Sequence, residues 1–219
     1  MTSTDVIKHF WTWFKKNNTA YLQFAPGKSN RKETGYLIDE LTVHMRAYCK
    51  YLSPEFTINA DRTKGELVIT ANSNTSGFKK ADRLVLKAPP IDGWTFIALR
   101  PPHYLDSHPA FCKAQMEANI TDIWFQDKGT SCFGTLYIAV FVPYILPEKE
   151  EAVSNYVDWT ILNLIGERAE AMDVEVLLVE SLDMVDQDRN LYHIEELPYV
   201  LSRTVSKITI GAGGEIQGF

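Results

Sequence analysis

The chain has 219 residues, of which 45% are hydrophobic and 23% charged, and its formal net charge is −6 because 28 acidic residues outnumber 22 basic ones. This composition excludes a disordered, collagen-like or membrane-embedded protein and predicts a globular one that needs neither a disulfide nor a metal to hold its core. The acidic balance disfavours a broad nucleic-acid surface, because such surfaces collect Lys and Arg along the phosphates.

Two helices are predicted at the start of the chain. Over residues 5–17, five apolar residues follow the spacing of one helical face, namely Val6, Ile7, Phe10, Trp11 and Phe14. Residues 34–52 repeat this pattern, and Ser53-Pro54 ends the second helix because proline disfavours helical geometry in the residue before it.

A strand, strand, helix, strand order follows these helices. Alternating apolar residues at 56–60 and 67–71 predict a hairpin, and residues 76–87 have the spacing of an amphipathic helix. On that helix Lys79, Lys80 and Arg83 form a small basic cluster, which we interpret as solvated surface. The near-continuous apolar run from Trp94 to Leu99 is typical of a strand inside a sheet.

The second half of the chain shows the same order of elements. Strands are predicted at Ile120–Gln126 and Gly134–Val142, with a turn at Asp127–Gly129 between them. A helix is predicted from Glu148 to Gly166 and a buried strand from Val174 to Val179.

These elements predict an α+β fold with two successive ββαβ units preceded by two helices. We expect a mixed sheet with helices mainly on one face, in which the two units either share one sheet or pack together. The chain is interpreted as a single domain, 1–219, with pseudo-repeat halves at 53–100 and 118–180. Residues 183–219 are predicted to be an irregular C-terminal extension, with one or two strands between Leu197 and Ile210.

The ordered set of short motifs resembles a family of uncharacterised bacterial cytoplasmic proteins with no established activity. The residues that carry the resemblance are Phe10-Trp-Thr-Trp-Phe14, Leu37–Leu41, Glu66-Leu-Val-Ile69, Ala88–Trp94, Ala98-Leu-Arg-Pro101, Thr121–Phe125, Leu136-Tyr-Ile138 and Leu164-Ile-Gly-Glu167. The resemblance covers about residues 6–180 and implies the fold and a bacterial cytoplasmic context. It implies no active site.

A cytoplasmic location is also the simplest interpretation of the sequence itself. No run of about 18 apolar residues predicts a membrane span, and the N-terminus lacks the pattern of a signal peptide. The three cysteines, Cys49, Cys112 and Cys132, are too few and too scattered for a disulfide framework.

The polar loop at residues 100–112 is the strongest candidate for a site, because it follows a predicted buried strand. The candidate binding residues are Arg100, His103, Tyr104, Asp106 and His108. With Cys112 they include enough ligand types for zinc, yet their spacing matches no established metal pattern. We therefore favour a connection between the two halves over a catalytic or metal site, and we predict no catalytic residue, metal ligand or cofactor.

The function predicted from the sequence is that of a non-enzymatic protein-binding or regulatory protein, such as an immunity-type protein. The acidic balance favours a basic protein partner and disfavours nucleic acid and membrane. Two alternatives stay open: a small hydrolase or metal-dependent enzyme with its site at the 100–112 loop, and a small-molecule sensor with an apolar pocket.

Overall fold

The computed structural model describes residues 3–23, 31–106, 108–184, 190–205, 209–210 and 216–217. The chain divides into two compact units, Met1–Arg100 and Pro101–Phe219. No helix in the described ranges is long and apolar enough to cross a membrane.

The first unit has two helices followed by a ββαβ arrangement. Its elements are α1 (Ser3–Leu22), α2 (Arg31–Tyr48), β1 (Ser53–Ile58), β2 (Gly65–Thr70), α3 (Thr75–Leu86) and β3 (Trp94–Ala98). The sheet order is β1-β2-β3, with β1 antiparallel to β2 and β3 parallel to β2. Parallel neighbours need a long crossover, and α3 supplies it. The side chain of Asn74 caps this helix by accepting a hydrogen bond from the Ser76 N–H.

The core of the first unit is largely aromatic. The side chain of Phe14 is fully buried, and its ring centroid lies 5.0 Å from that of Trp94 and 5.7 Å from that of Phe96. On the helical side, Phe14 stacks against Tyr21 at 5.8 Å. The aromatic stripe of α1 therefore packs on the sheet, as its helical spacing predicts.

The second unit contains the same ββαβ order within a longer sheet. Its elements are α4 (Pro109–Ala118), β4 (Trp124–Thr130), β5 (Leu136–Val142), α5 (Glu150–Asp173), β6 (Val174–Ser181), β7 (Tyr192–His193), α6 (Leu197–Val205), β8 (Thr209–Ile210) and β9 (Ile216–Gln217). The four-stranded sheet has the order β6-β5-β4-β7, with β4 antiparallel to β5 and β6 parallel to β5. Strands β8 and β9 pair only with each other among the described residues.

Helix α5 covers this sheet with a buried face and contains a kink. Its inward residues Val153, Val157 and Ile161 join a cluster with β4 and β5 side chains. Gly166 has φ 80° and ψ 160°, which lies outside the helical range and suits glycine because it lacks a Cβ. The helix continues beyond this residue to Asp173, whereas the sequence predicts its end at Gly166.

The α+β prediction is confirmed, and several of its details differ. Of the two arrangements left open by the sequence, one shared sheet is not seen: within the described ranges the two units form separate mixed sheets. Strand β4 continues through the predicted turn at Asp127–Gly129, because an irregularity between Asp127 and Thr130 absorbs the residues there. Between Leu197 and Ile210 the structure has helix α6 and only the two-residue strand β8. The acidic run at 185–189 and the glycine-rich residues 211–215 lie outside the described residues.

The two units carry opposite charge. Residues 1–100 contain 15 basic and 9 acidic residues, a net charge of +6, whereas residues 101–219 contain 7 basic and 19 acidic residues, a net charge of −12. The overall value of −6 therefore averages a basic unit and a strongly acidic one. Electrostatic arguments about binding apply to each unit separately.

Candidate functional site

Arg100 connects strand β1 with the loop after β2 in the first unit. Its guanidinium pairs with both carboxylate oxygens of Glu55 on β1, with Nε 3.0 Å from Oε2 and Nη2 donating to Oε1. Nη2 also donates to Asn72 Oδ1 at 2.9 Å. Asn72 lies in the loop between β2 and α3, where its φ is 49°. The bidentate contact with Glu55 and the hydrogen bond to Asn72 together connect that loop to β1. Only 12% of the arginine side chain is exposed.

The segment after Arg100 is attached to helix α5 by one buried asparagine. Asn163 is 7% exposed, and its Oδ1 accepts the Leu105 N–H at 2.8 Å while its Nδ2 donates to Asp106 Oδ1 at 2.6 Å. The backbone oxygen of Asn163 accepts the N–H of His103, a residue with φ 61°. These three hydrogen bonds set the path of the segment along α5.

Four of the five predicted site residues lie in this segment. His103 Nδ1 is 3.7 Å from Asp106 Oδ2, and both side chains are more than 60% exposed. Tyr104 is half-buried, and the His108 ring lies 5.9 Å from that of Trp159. The fifth residue, Arg100, belongs to the other unit.

The chemistry available to these residues is limited. In the described part of the chain, no group of three His, Cys, Asp or Glu side chains is close enough to hold a metal ion. The exposed His103–Asp106 pair has the high-dielectric surroundings in which such pairs interact weakly. The hydrogen bonds to Asn163 and Glu55 are structural, which favours the interpretation of this loop as a connection.

A different surface of the second unit, strand β6, offers a more specific recognition geometry. Within the described residues β6 pairs with β5 alone and is therefore an edge strand. Edge strands present unpaired backbone N–H and C=O groups along their outer side. At eight residues β6 is longer than the commonest strand length of about 5–6 residues, and its edge is long enough to pair with another strand.

The exposed side chains of β6 form a short symmetrical pattern. Val176 pairs with Ile138 and Leu178 with Ala139, so Leu177 is an extra residue at a bulge. As a result two consecutive leucines are exposed, Leu177 at 51% and Leu178 at 38%. Exposed Glu175 and Glu180 flank them, and the run Glu175-Val-Leu-Leu-Val-Glu180 is the same read in either direction.

This symmetry bears on which strand β6 accepts. If two copies paired antiparallel about the centre of the run, Glu175 of each copy would lie opposite Glu180 of the other. Like charges directly opposite each other destabilise a strand pair.

Just before the strand, burial raises the pKa of the Asp173 carboxyl. The apolar residues of this run predict a buried strand, and only its two glutamates signal the exposed surface.

Comparison with known proteins adds no relative. No family model, curated protein sequence or solved structure matches the chain. The resemblance to a bacterial family therefore stays a prediction, and function is inferred from the residues of the chain itself.

Proposed function

We propose that the protein is a non-enzymatic binding protein whose second unit captures an extended basic segment of a partner protein at strand β6. The observation that carries the proposal is the edge of β6, which no strand of the described residues covers, with exposed Leu177 and Leu178 between exposed Glu175 and Glu180. A partner strand would add to the sheet through backbone hydrogen bonds, which supply affinity irrespective of sequence. If the partner requires that segment for its own activity, its capture by β6 would give this protein a regulatory or immunity-type role.

Side-chain pairing supplies the specificity of this contact. Apolar residues of the partner would cover Leu177 and Leu178, and Lys or Arg on either side would face Glu175 and Glu180. The net charge of −12 on the second unit attracts a basic segment over longer distances and increases the rate of encounter. The same glutamates disfavour pairing of β6 with a second copy of itself, so the edge stays open for a partner.

A pair of peptides tests this proposal. The first is a fluorescein-labelled hexapeptide with lysine at both ends and the core Thr-Val-Val-Thr, and the second has glutamate at both ends and the same core. We expect fluorescence anisotropy to show saturable binding of the lysine peptide and at least about tenfold weaker binding of the glutamate peptide. Reversing the strand charges, Glu175→Lys with Glu180→Lys, should invert this preference because the complementary charges are exchanged.

A matched control distinguishes binding of the peptide at β6 from general electrostatic attraction to the acidic unit. The double variant Glu148→Lys with Glu151→Lys changes the net charge equally; both residues are exposed, Glu148 in the turn before α5 and Glu151 in its first turn. This control should bind the lysine peptide within about twofold of the wild type after salt screening. If both double variants weaken binding equally, or if the peptides bind alike, the assignment to β6 is wrong.

A further inference from the structure

A groove lies between α1 and the C-terminal end of α3 in the first unit, and its lining shares no residue with the sites described above. It encloses about 390 Å³, which falls within the roughly 300–1,000 Å³ of small-molecule sites. Its α1 wall is one helical face that starts at Thr4 and ends at Lys15. At 1.5 Å of rise per residue this wall is about 16 Å long. The opposite wall includes Arg83, Lys87 and Pro89.

The floor of the groove is apolar and held in place. Ile7 and Trp11 are each 3% exposed, and Pro89 is half-buried. The indole Nε1 of Trp11 donates to the backbone oxygen of Leu84 at 2.9 Å, and the ring packs edge-on against Phe96 at 4.6 Å. A floor fixed by these contacts loses little conformational freedom when a ligand covers it.

The rim of the groove is cationic on both walls. Lys8 and Lys15 lie on α1, and Arg83 and Lys87 lie on and just after α3, with all four side chains exposed. The lining described by the structure includes no acidic side chain, and none of the four cations forms an ion pair with a described residue. Among the residues that the structure describes, the groove is thus an apolar slot with four cations and no carboxylate in its lining.

The size of the groove decides between a protein and a small molecule as occupant. A stable protein interface covers about 800 Å² on each partner and involves about 20–30 residues a side, whereas this groove has nine lining residues in the described part of the chain and a volume typical of small-molecule sites. A small molecule fits if it has an apolar body for Ile7 and Trp11 and a concentrated negative charge for the rim. A phosphate monoester has about −1.5 to −2 charges at neutral pH and three acceptor oxygens, which suit an arginine fork with neighbouring lysines.

From this geometry we propose that the groove of the first unit binds a small amphipathic phosphate, a phosphate monoester on an alkyl or aromatic body. The apolar body lies on Ile7 and Trp11, and the phosphate contacts Arg83 and Lys87 with support from Lys8. This site goes beyond the partner binding assigned to β6, because it uses different residues in the other unit and a ligand of opposite charge to the partner segment.

Calorimetric titration of the full chain tests the ligand class. The probes are 1-naphthyl phosphate and octyl phosphate, compared with 1-naphthol and inorganic phosphate. We expect at least one of the two monoesters to bind at least about tenfold more tightly than both single-feature probes. The monoester that binds more tightly then indicates whether the apolar part of the natural ligand is aromatic or alkyl. Equal binding of 1-naphthol, or of inorganic phosphate, would contradict the proposal.

Matched variants test the location. Arg83→Gln with Lys87→Gln should weaken monoester binding at least about tenfold, because the charges at the mouth are removed. Lys79→Gln with Lys80→Gln removes equal charge from exposed residues of the same helix that do not line the groove, and should change binding less than about twofold. Equal weakening by the two variants would overturn the assignment. Both should bind the lysine peptide at β6 normally, so this proposal and the proposed function fail separately.

Discussion

Replacing Phe14 with alanine is expected to destabilise the first unit by about 3–5 kcal/mol, the usual range for removing a buried phenylalanine. The ring is fully buried and contacts aromatic rings from α1 and β3, including Trp11 at 5.9 Å and Trp94 at 5.0 Å. Alanine would leave a cavity that these large rings cannot fill by small movements. Urea unfolding followed by circular dichroism measures the change.

An exposed phenylalanine provides the control. Phe133 is 87% exposed between β4 and β5, so Phe133→Ala should change the free energy of unfolding by no more than about 0.5 kcal/mol. If Phe14→Ala has an effect as small as this, α1 does not pack on the sheet through its aromatic stripe.

Replacing Asn163 with alanine is expected to destabilise the second unit by about 2–3 kcal/mol. The change removes the acceptor of the Leu105 N–H and the donor to Asp106, and Leu105 is only 2% exposed, so water does not readily replace the lost partner. Urea unfolding measures the free energy, and hydrogen exchange of the Leu105 amide reports the local effect, which should be faster exchange.

Asn155 on the same helix is the matched control, because its side chain is exposed. Asn155→Ala should leave both the free energy of unfolding and the Leu105 exchange rate nearly unchanged, since alanine is also a better helix former. Normal exchange of Leu105 in the Asn163 variant would show that this asparagine does not anchor residues 103–106.

Much of the architecture follows from hydrophobic periodicity. The aromatic stripe of α1 and the alternation in β1 and β2 predict these elements, although α1 continues to Leu22, five residues beyond its predicted end. The sequence does not predict helix α4, because Pro101, Pro102 and Pro109 make the local geometry hard to read, although proline is favoured in the first turn of a helix. The sequence predicts strand where helix α6 lies, because the short apolar run Leu197–Val205 contains too few residues to distinguish the helical period from the strand period.

The candidate sites were harder to predict, because they depend on contacts distant in sequence. Proximity along the chain grouped Arg100 with His103, whereas the structure pairs Arg100 with Glu55 and anchors residues 103–106 on Asn163. Arg83 was interpreted as solvated surface, and it shares a groove with Lys8, which is 75 residues earlier. No local motif signals either arrangement.

The net charge of the whole chain is also less informative than the net charge of each unit. A value of −6 disfavours anionic ligands for the whole chain, yet residues 1–100 alone have a net charge of +6. The division between the units became visible only from the fold, because basic and acidic residues are interspersed within each half. The two proposed ligands, a basic segment and a small phosphate, accordingly belong to different units.

Hydrogen exchange of the β6 backbone amides in the presence of the lysine-flanked peptide tests the central claim most directly. If the peptide adds to the edge, alternate amides between Val174 and Ser181 should exchange at least about tenfold more slowly when the peptide is saturating. Amides of β3, an edge strand in the first unit, should be unaffected. Unchanged exchange along β6 with the peptide bound, or slowing confined to another element, would contradict the proposal that this strand is the binding site.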